Sequence, residues 1–304
     1  MAPQLKLGLL TPSSNTIMEP QSAAVLAGLD HVSVHFGRFR VTEISMSGDA
    51  LGQFKFGPQL AAAELLADAR MDVIAWGGTS GSWLGRANDE ELVRQIEARC
   101  GVPSTTSTLA LFAAFEALDV QSYGLVTPYL TEIQEPILKN FSAEGYSCTG
   151  DRRLEDPGNY SFAEYGEDRI ADMVREVAEG NPDAIAIQCT NFNGTRIAPA
   201  LEEELGIPVL DSVAFTIWHC MKLAGAMRPT SSRSRPPTAS RVTCCLVCAL
   251  KAAVSCARFS SAVSSFGFSF DFAAIACTLG GGGGKVISPS WVTVAPRMTS
   301  SSML

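Results

Sequence analysis

At 304 residues the chain can bury one large core or two modest ones. A formal charge of −8 and a pI near 5.0 argue against nucleic acid or an anionic membrane surface as the main partner. Charged residues interrupt every apolar run, so no stretch reads as a membrane span, and the opening Met-Ala-Pro-Gln-Leu-Lys lacks a signal-peptide shape; a soluble, cytoplasmic protein is expected.

Leu5 to Leu10 reads as a short apolar strand, closed by Thr-Pro-Ser-Ser-Asn-Thr at 11–16. Glu19 to Leu29 has helical composition, and Val32 to Phe36 alternates like a second strand. An Ala- and Leu-rich helix follows at Gln59 to Arg70, then a strand at Val73 to Trp76. A helix at Glu90 to Arg99, a short strand at Gly101-Val-Pro103 and a helix at Thr108 to Leu118 complete the first half. At Tyr123 the pattern restarts. Tyr-Gly-Leu-Val-Thr-Pro128 repeats Leu-Gly-Leu-Leu-Thr-Pro12, Asp183 to Thr190 repeats Asp72 to Thr79, and Gly206-Ile-Pro208 with Ser212 repeats Gly101-Val-Pro103 with Ser107. Three landmarks in one order, offset by about 105 to 116 residues, indicate duplicated domains.

Strands alternating with helices predict an α/β fold of two pseudo-symmetric lobes, each a short parallel sheet flanked by helices, with the active site in the cleft between them. The expected division is a first lobe at 1–118, a second at 119–211 and a helix at 212–227 able to pack back onto the first. Residues 228–304 change character: a basic Pro/Ser/Arg run, five glycines at 280–284 and no sustained hydrophobic period predict a disordered, low-complexity tail. Five of the nine cysteines fall there, without the second ligand pair that a metal module needs; the other four are scattered as in a reduced enzyme.

The duplicated strand-to-loop segment carries the candidate chemistry. In the second copy Cys189, Thr190 and Asn191 follow a buried strand; a helix near Ile197 to Leu205 comes next, and backbone N–H groups at such a turn would favour a thiolate or an oxyanion. In the first copy Gly78 stands where Cys189 stands, followed by Thr79 and Ser80, whose hydroxyls and amides can hold an anionic oxygen, as can Ser82 nearby. Tyr129 ends the first strand of the second half, and Pro12, Ser13, Ser14 and Asn15 form the cognate loop of the first half, suited to bind a carboxylate or cap a helix. His31, His35 and His219 lie away from these loops and are expected to pack or to face solvent.

With those residues in place, the stretch 5–226 resembles the aspartate/glutamate racemase superfamily, within it the branch of maleate cis-trans isomerases and arylmalonate decarboxylases. The resemblance implies two α/β lobes that typically offer one cysteine each, with no cofactor or metal. The Pro12-Ser-Ser-Asn-Thr16 loop is similar to that of the isomerases, where the residue matching Asn15 contacts a substrate carboxylate. Gly78-Thr-Ser80 resembles the decarboxylases, in which glycine replaces the first cysteine and the following Thr and Ser bind the reacting carboxylate. Tyr129 and Cys189 match the site tyrosine and the retained second cysteine, and Thr190 stands where the decarboxylases carry glycine. A single thiol suits decarboxylation through an enediolate, so the expected activity is a cofactor-independent decarboxylase of an aryl- or alkenyl-malonate-like acid, protonated by Cys189. The alternatives are a maleate-type isomerase or related racemase-like enzyme, and a carboxylate-binding protein without turnover. The expected partner is a small dicarboxylate or aryl-carboxylate, the expected state a monomer or small homo-oligomer.

Overall fold

The computed structural model describes residues 4–44 and 56–226; the tail expected at 228–304 lies outside the described residues. Two four-stranded parallel sheets result. In chain order the first half holds β1 (Leu5–Pro12), α1 (Met18–Val25), β2 (Val32–Phe39), α2 (Phe56–Asp68), β3 (Val73–Trp76), the short α3 (Gly81–Leu84), α4 (Arg86–Cys100), β4 (Ser104–Thr106) and α5 (Ser107–Ala117). The second half holds β5 (Ser122–Thr127), α6 (Thr131–Ala143), β6 (Ser147–Arg153), a 3-10 turn at Ser161–Glu164, α7 (Glu167–Ala178), β7 (Ala184–Ile187), α8 (Ala198–Leu205), β8 (Val209–Asp211) and α9 (Ser212–Leu223). The strand orders β2-β1-β3-β4 and β6-β5-β7-β8 are the same pattern twice.

The central strands β3 and β7, Val-Ile-Ala-Trp and Ala-Ile-Ala-Ile, are buried along their whole length, as expected of parallel strands covered on both faces. Several of the repeated landmarks are framework. Asp72 accepts the Lys6 N–H at 2.7 Å, and Asp183 accepts the Ser122 N–H at 2.7 Å, each tying the start of its sheet's inner strand. Gly8 and Gly124 let a helix approach: a Cβ there would stand 3.3 Å from Leu66 of α2 and 3.0 Å from Val177 of α7. Gly101 and Gly206 end α4 and α8 at φ of 68° and 67°, a left-handed cap that favours glycine. The short strand expected at Gly101–Pro103 therefore begins only at Ser104, because Gly101 still belongs to the helix terminus. Ser107 and Ser212 open α5 and α9 and donate to the last carbonyls of β3 and β7, at 3.4 Å to Trp76 O and 2.6 Å to Ile187 O. Helices α5 and α9 pack on one another, and α9 also reaches α1, β3 and β4.

With strand order 2-1-3-4, the chain leaves β1 toward one side and returns to the other, so the switch point lies between the carboxyl ends of β1 and β3, where open α/β sheets bind ligands. The second sheet has its switch point between β5 and β7.

Candidate active site

The loops leaving β1, β3, β5 and β7 carry Ser13, Ser14, Asn15, Gly78, Thr79, Ser80, Tyr129, Cys189, Thr190 and Asn191, and several of these side chains bond between the lobes. The Asn15 carboxamide accepts the N–H groups of Ile17 and Met18 at 3.0 and 2.9 Å, capping the entry to α1. Its Nδ2 donates to Thr190 Oγ1 at 3.2 Å, and Thr190 donates in turn to Gly77 O at 2.9 Å. Asn191 Oδ1 accepts from Thr16 N at 2.9 Å and Ile17 N at 3.3 Å, while its Nδ2 donates to Asn159 O at 2.5 Å. Asn159 donates to Ser14 Oγ at 2.8 Å. Ser14 donates to Val41 O at 2.7 Å, and Ser13 accepts the Val41 N–H at 3.2 Å, so both serines pin the segment after β2. Pro12 is the last residue of β1, paired with Phe39.

A second group lies across from these. Thr79 Oγ1 and the Tyr129 hydroxyl are 2.6 Å apart, joining the two lobes. The Tyr129 hydroxyl also lies near enough to the Cys189 thiol to favour its ionised form, against the effect of burial. The ring is wedged edge-on between Trp83 and Phe162, at centroid distances of 5.4 and 5.6 Å. Ser80 Oγ accepts from Trp76 Nε1 at 3.0 Å, which leaves the serine O–H free to donate elsewhere. Ser82 turns away from this group: it bonds Thr108 at 3.2 Å and accepts from Gln188 Nε2 at 2.8 Å.

Cys189 is 3 % exposed. Its N–H donates to Ser212 Oγ at 2.8 Å, which fixes the thiol at the end of β7. Its surroundings disfavour the thiolate and suit the proton-donor role expected from the sequence. Burial pushes the thiol up to about 12; bonds from the Tyr129 hydroxyl and the Asn191 backbone N–H offset this only in part, and Asp211 and Asp156 add to the rise. Desolvation is the main cause, and α8, which begins at Ala198 close to where the sequence places it, is too far along the chain from Cys189 to offset it. Burial likewise holds the Tyr129 phenol well above its ordinary range. His219 bonds Thr105 at 2.9 Å and is pushed down to about 4 by burial, so it stays neutral in α9. Among the described residues no group of His, Cys, Asp and Glu could hold a metal ion, and no helix is long and apolar enough to cross a membrane.

Sequence reasoning missed Asn159, which joins Ser14 to Asn191, and Ser212 beneath Cys189. It also missed Trp76. A Cβ at Gly78 would lie inside the van der Waals envelope of the Trp76 indole, with even the third-nearest ring carbon, Cη2, at 2.7 Å. The indole, 1 % exposed and packed on Phe39 at 5.0 Å, fills the volume of a side chain at 78. Placing the two halves side by side by strand register, with Trp76 opposite Ile187, could have raised the question.

A duplicated, two-lobed α/β protein, with one buried thiol and neutral hydroxyl and amide groups between its lobes, is the class so defined. The arylmalonate decarboxylase family model matches residues 7–235, and the chain belongs to that family. The maleate isomerase of Geobacillus stearothermophilus is 24% identical over 235 residues, covering 73% of this chain and 92% of the relative. The arylmalonate decarboxylase of Bordetella bronchiseptica is 28% identical over 167 residues, covering 54% and 68%. Among solved structures, the Nocardia farcinica maleate cis-trans isomerase bound to TRIS superposes with a TM-score of 0.68 at 24% identity, over 82% of this chain and 99% of that one. Unliganded arylmalonate decarboxylase gives 0.61 at 22% identity, over 77% and 96%. At such identities these structures establish a shared fold.

Proposed function

We propose that the chain is a cofactor-independent decarboxylase of a malonate-like acid bearing an aryl or alkenyl substituent, with Cys189 as the proton donor. The observation that carries this reading is the Thr79–Tyr129 hydroxyl pair, 2.6 Å apart across the lobes, with the buried Cys189 thiol near the tyrosine end. The C–C bond to one carboxylate breaks, and its electron pair moves into the retained carboxylate to give an enediolate. The aryl or alkenyl group delocalises that charge. Donors from Thr79, Ser80 and Tyr129 stabilise the oxygens, each worth on the order of 10²–10³ in rate where such a donor is aimed at developing charge. The S–H of Cys189 then passes its proton to the α-carbon, and the thiolate recovers one from solvent. A neutral thiol suits an acid. Asn15, with one Nδ2 hydrogen bonded to Thr190, keeps a second for a carboxylate oxygen.

Maleate isomerisation is the second reading. It is favoured by the Geobacillus stearothermophilus maleate isomerase, of whose length 92% is covered, against 68% for the decarboxylase. A cysteine-to-serine variant of the Nocardia farcinica isomerase holds a covalently bound succinylcysteine intermediate. In the present chain such an adduct would require Cys189 to attack as a thiolate, which its burial opposes. Incubation with phenylmalonate, an alkenyl malonate and maleate, following CO2 and fumarate, separates the readings. CO2 from a malonate without fumarate from maleate is the expected result; fumarate without CO2 would replace the first reading by the second, and tight binding without either product would make the chain a carboxylate-binding protein.

A further inference from the structure

We propose that Trp76 is the specificity-determining residue that makes the site one-sided: its indole occupies the place of a first-lobe side chain and confines proton delivery to the Cys189 face. The inference rests on the proposed reaction, but its central claim is steric and can be tested without it. Gly78 does not need to be glycine for its backbone, because its φ lies outside the left-handed region; only the space around it is closed. What closes it is Trp76, the last residue of β3 two positions earlier, whose indole carbons lie where the Cβ of residue 78 would stand. In the second sheet the equivalent register position is Ile187, and Cys189 two residues later has room for its side chain. The two lobes thus carry alternative solutions at one pair of positions: a large ring with glycine at 76 and 78, a branched aliphatic with a thiol at 187 and 189.

The indole is also held in place. Trp76 Nε1 donates to Ser80 Oγ at 3.0 Å, and the ring packs on Phe39. The residue that excludes a side chain at 78 therefore orients the Ser80 hydroxyl in the same site loop. A thiol at 78 would have to displace the ring and break that bond. Gly78→Cys alone is consequently not expected to build a two-thiol site.

The test is a double-mutant cycle in the full chain, read by thermal unfolding, with Trp76→Ile chosen because isoleucine is the second lobe's solution. Gly78→Cys in the parent should lower Tm by about 4–10 °C, or prevent folding, as overpacking of a closed site does. The same substitution in the Trp76→Ile background should cost less than about 2 °C. Gly78→Ala, tested in both backgrounds, should follow the same pattern and separates the Cβ clash from thiol chemistry. Equal cost in the two backgrounds, a parent that accepts cysteine without loss, or a cysteine variant that stays unfolded with isoleucine at 76 would overturn the role of Trp76. A second readout addresses the one-sidedness. In heavy water, Trp76→Ile with Gly78→Cys should gain exchange of the α-hydrogen of an α-aryl carboxylic acid by at least tenfold over either single variant, one thiolate removing the proton and the opposite thiol returning deuterium. Stability rescue without that exchange would leave Trp76 as the steric occupant and overturn its role in the one-sidedness; no rescue would refute the occupant itself.

Discussion

The protonation state of Cys189 decides between acid and nucleophile, and pH is the perturbation that reads it. Burial pushes this thiol from the ordinary 9.0 up to about 12. A rise of three units lowers the thiolate fraction about a thousandfold at any pH below 9. At pH 8 that is about one molecule in ten thousand, against about one in ten for an unperturbed thiol. Alkylation by iodoacetamide, followed at the peptide containing Cys189 by mass spectrometry, measures it. Restricted access to a buried sulfur slows alkylation at every pH alike, so the inflection of log rate against pH carries the information. The rate should climb through pH 10 without levelling. Decarboxylation, which uses the protonated form, should show no alkaline loss attributable to this thiol below about pH 10.5. Tyr129→Phe removes a hydrogen bond that favours the thiolate, so it should move the inflection higher still. An inflection at or below 9 would mean that the loop stabilises a thiolate after all, and the proton-donor role would fall.

Cys189→Ala should lower kcat by about 10²–10⁴-fold and leave KM within a few-fold, since the thiol acts in the proton-transfer step; wild-type turnover in that variant would make Cys189 a packing residue. Asn191→Ala removes the acceptor for Thr16 and Ile17 N–H and the donor to Asn159 O, so it should cost about 2–4 kcal/mol and lower Tm by about 5–15 °C. An unchanged Tm would show that the lobes do not rely on this contact. Asp89 is buried, accepts from Thr106, and is pushed up to about 7, chiefly by burial. Because its folded value lies above its unfolded one, the stability it contributes is fully present below pH 3.8 and lost as pH rises through about 7. Unfolding of the parent and Asp89→Asn between pH 4 and 8 should therefore shift in favour of the variant as pH rises; a constant difference would contradict the shift.

The fold and the loops of the site were legible in the sequence because duplication wrote them twice. β3 and β7 read directly, since four consecutive buried apolar residues before a polar loop leave little choice. Edge strands were harder. β2 runs on through Gly37 and Arg38 to Phe39, beyond the alternating stretch, and β6 reads Ser-Cys-Thr-Gly-Asp-Arg-Arg with no apolar face to announce it. α6 carries Pro136 within its span, and sequence reasoning assigns no helix there. At the site, sequence reasoning could nominate Asn15, Thr79, Tyr129 and Cys189 but could not pair them, because Thr79 meets Tyr129 and Asn15 meets Thr190 only after two separately folded halves close. The helix after the Cys189 loop, expected near Ile197 to Leu205, does form at Ala198–Leu205, but the depth of burial of the thiol depends on packing that the sequence does not show.

The framework and the chemistry obey different constraints, which explains how a symmetric frame came to hold an asymmetric site. The acids that tie β1 and β5, the glycines beneath α2 and α7, the left-handed caps at Gly101 and Gly206 and the serines under β3 and β7 serve packing and backbone hydrogen bonding. Each sits where a change would disturb a sheet, and so each occurs twice. Positions 78 and 189 lie two residues past their strands, in loops, where a side chain can be exchanged if the volume around it is refilled. At the first-lobe copy the refilling residue is the last of β3, whose indole occupies the space a side chain at 78 would need. Trp76 also gains a hydrogen-bond partner in Ser80, so its indole N–H is not left buried without an acceptor, the usual cost of placing tryptophan in a closed site. Glycine at 78 and the ring at 76 are in this way one packing arrangement at two positions, and a variant that changes only one of them is left either overpacked or hollow.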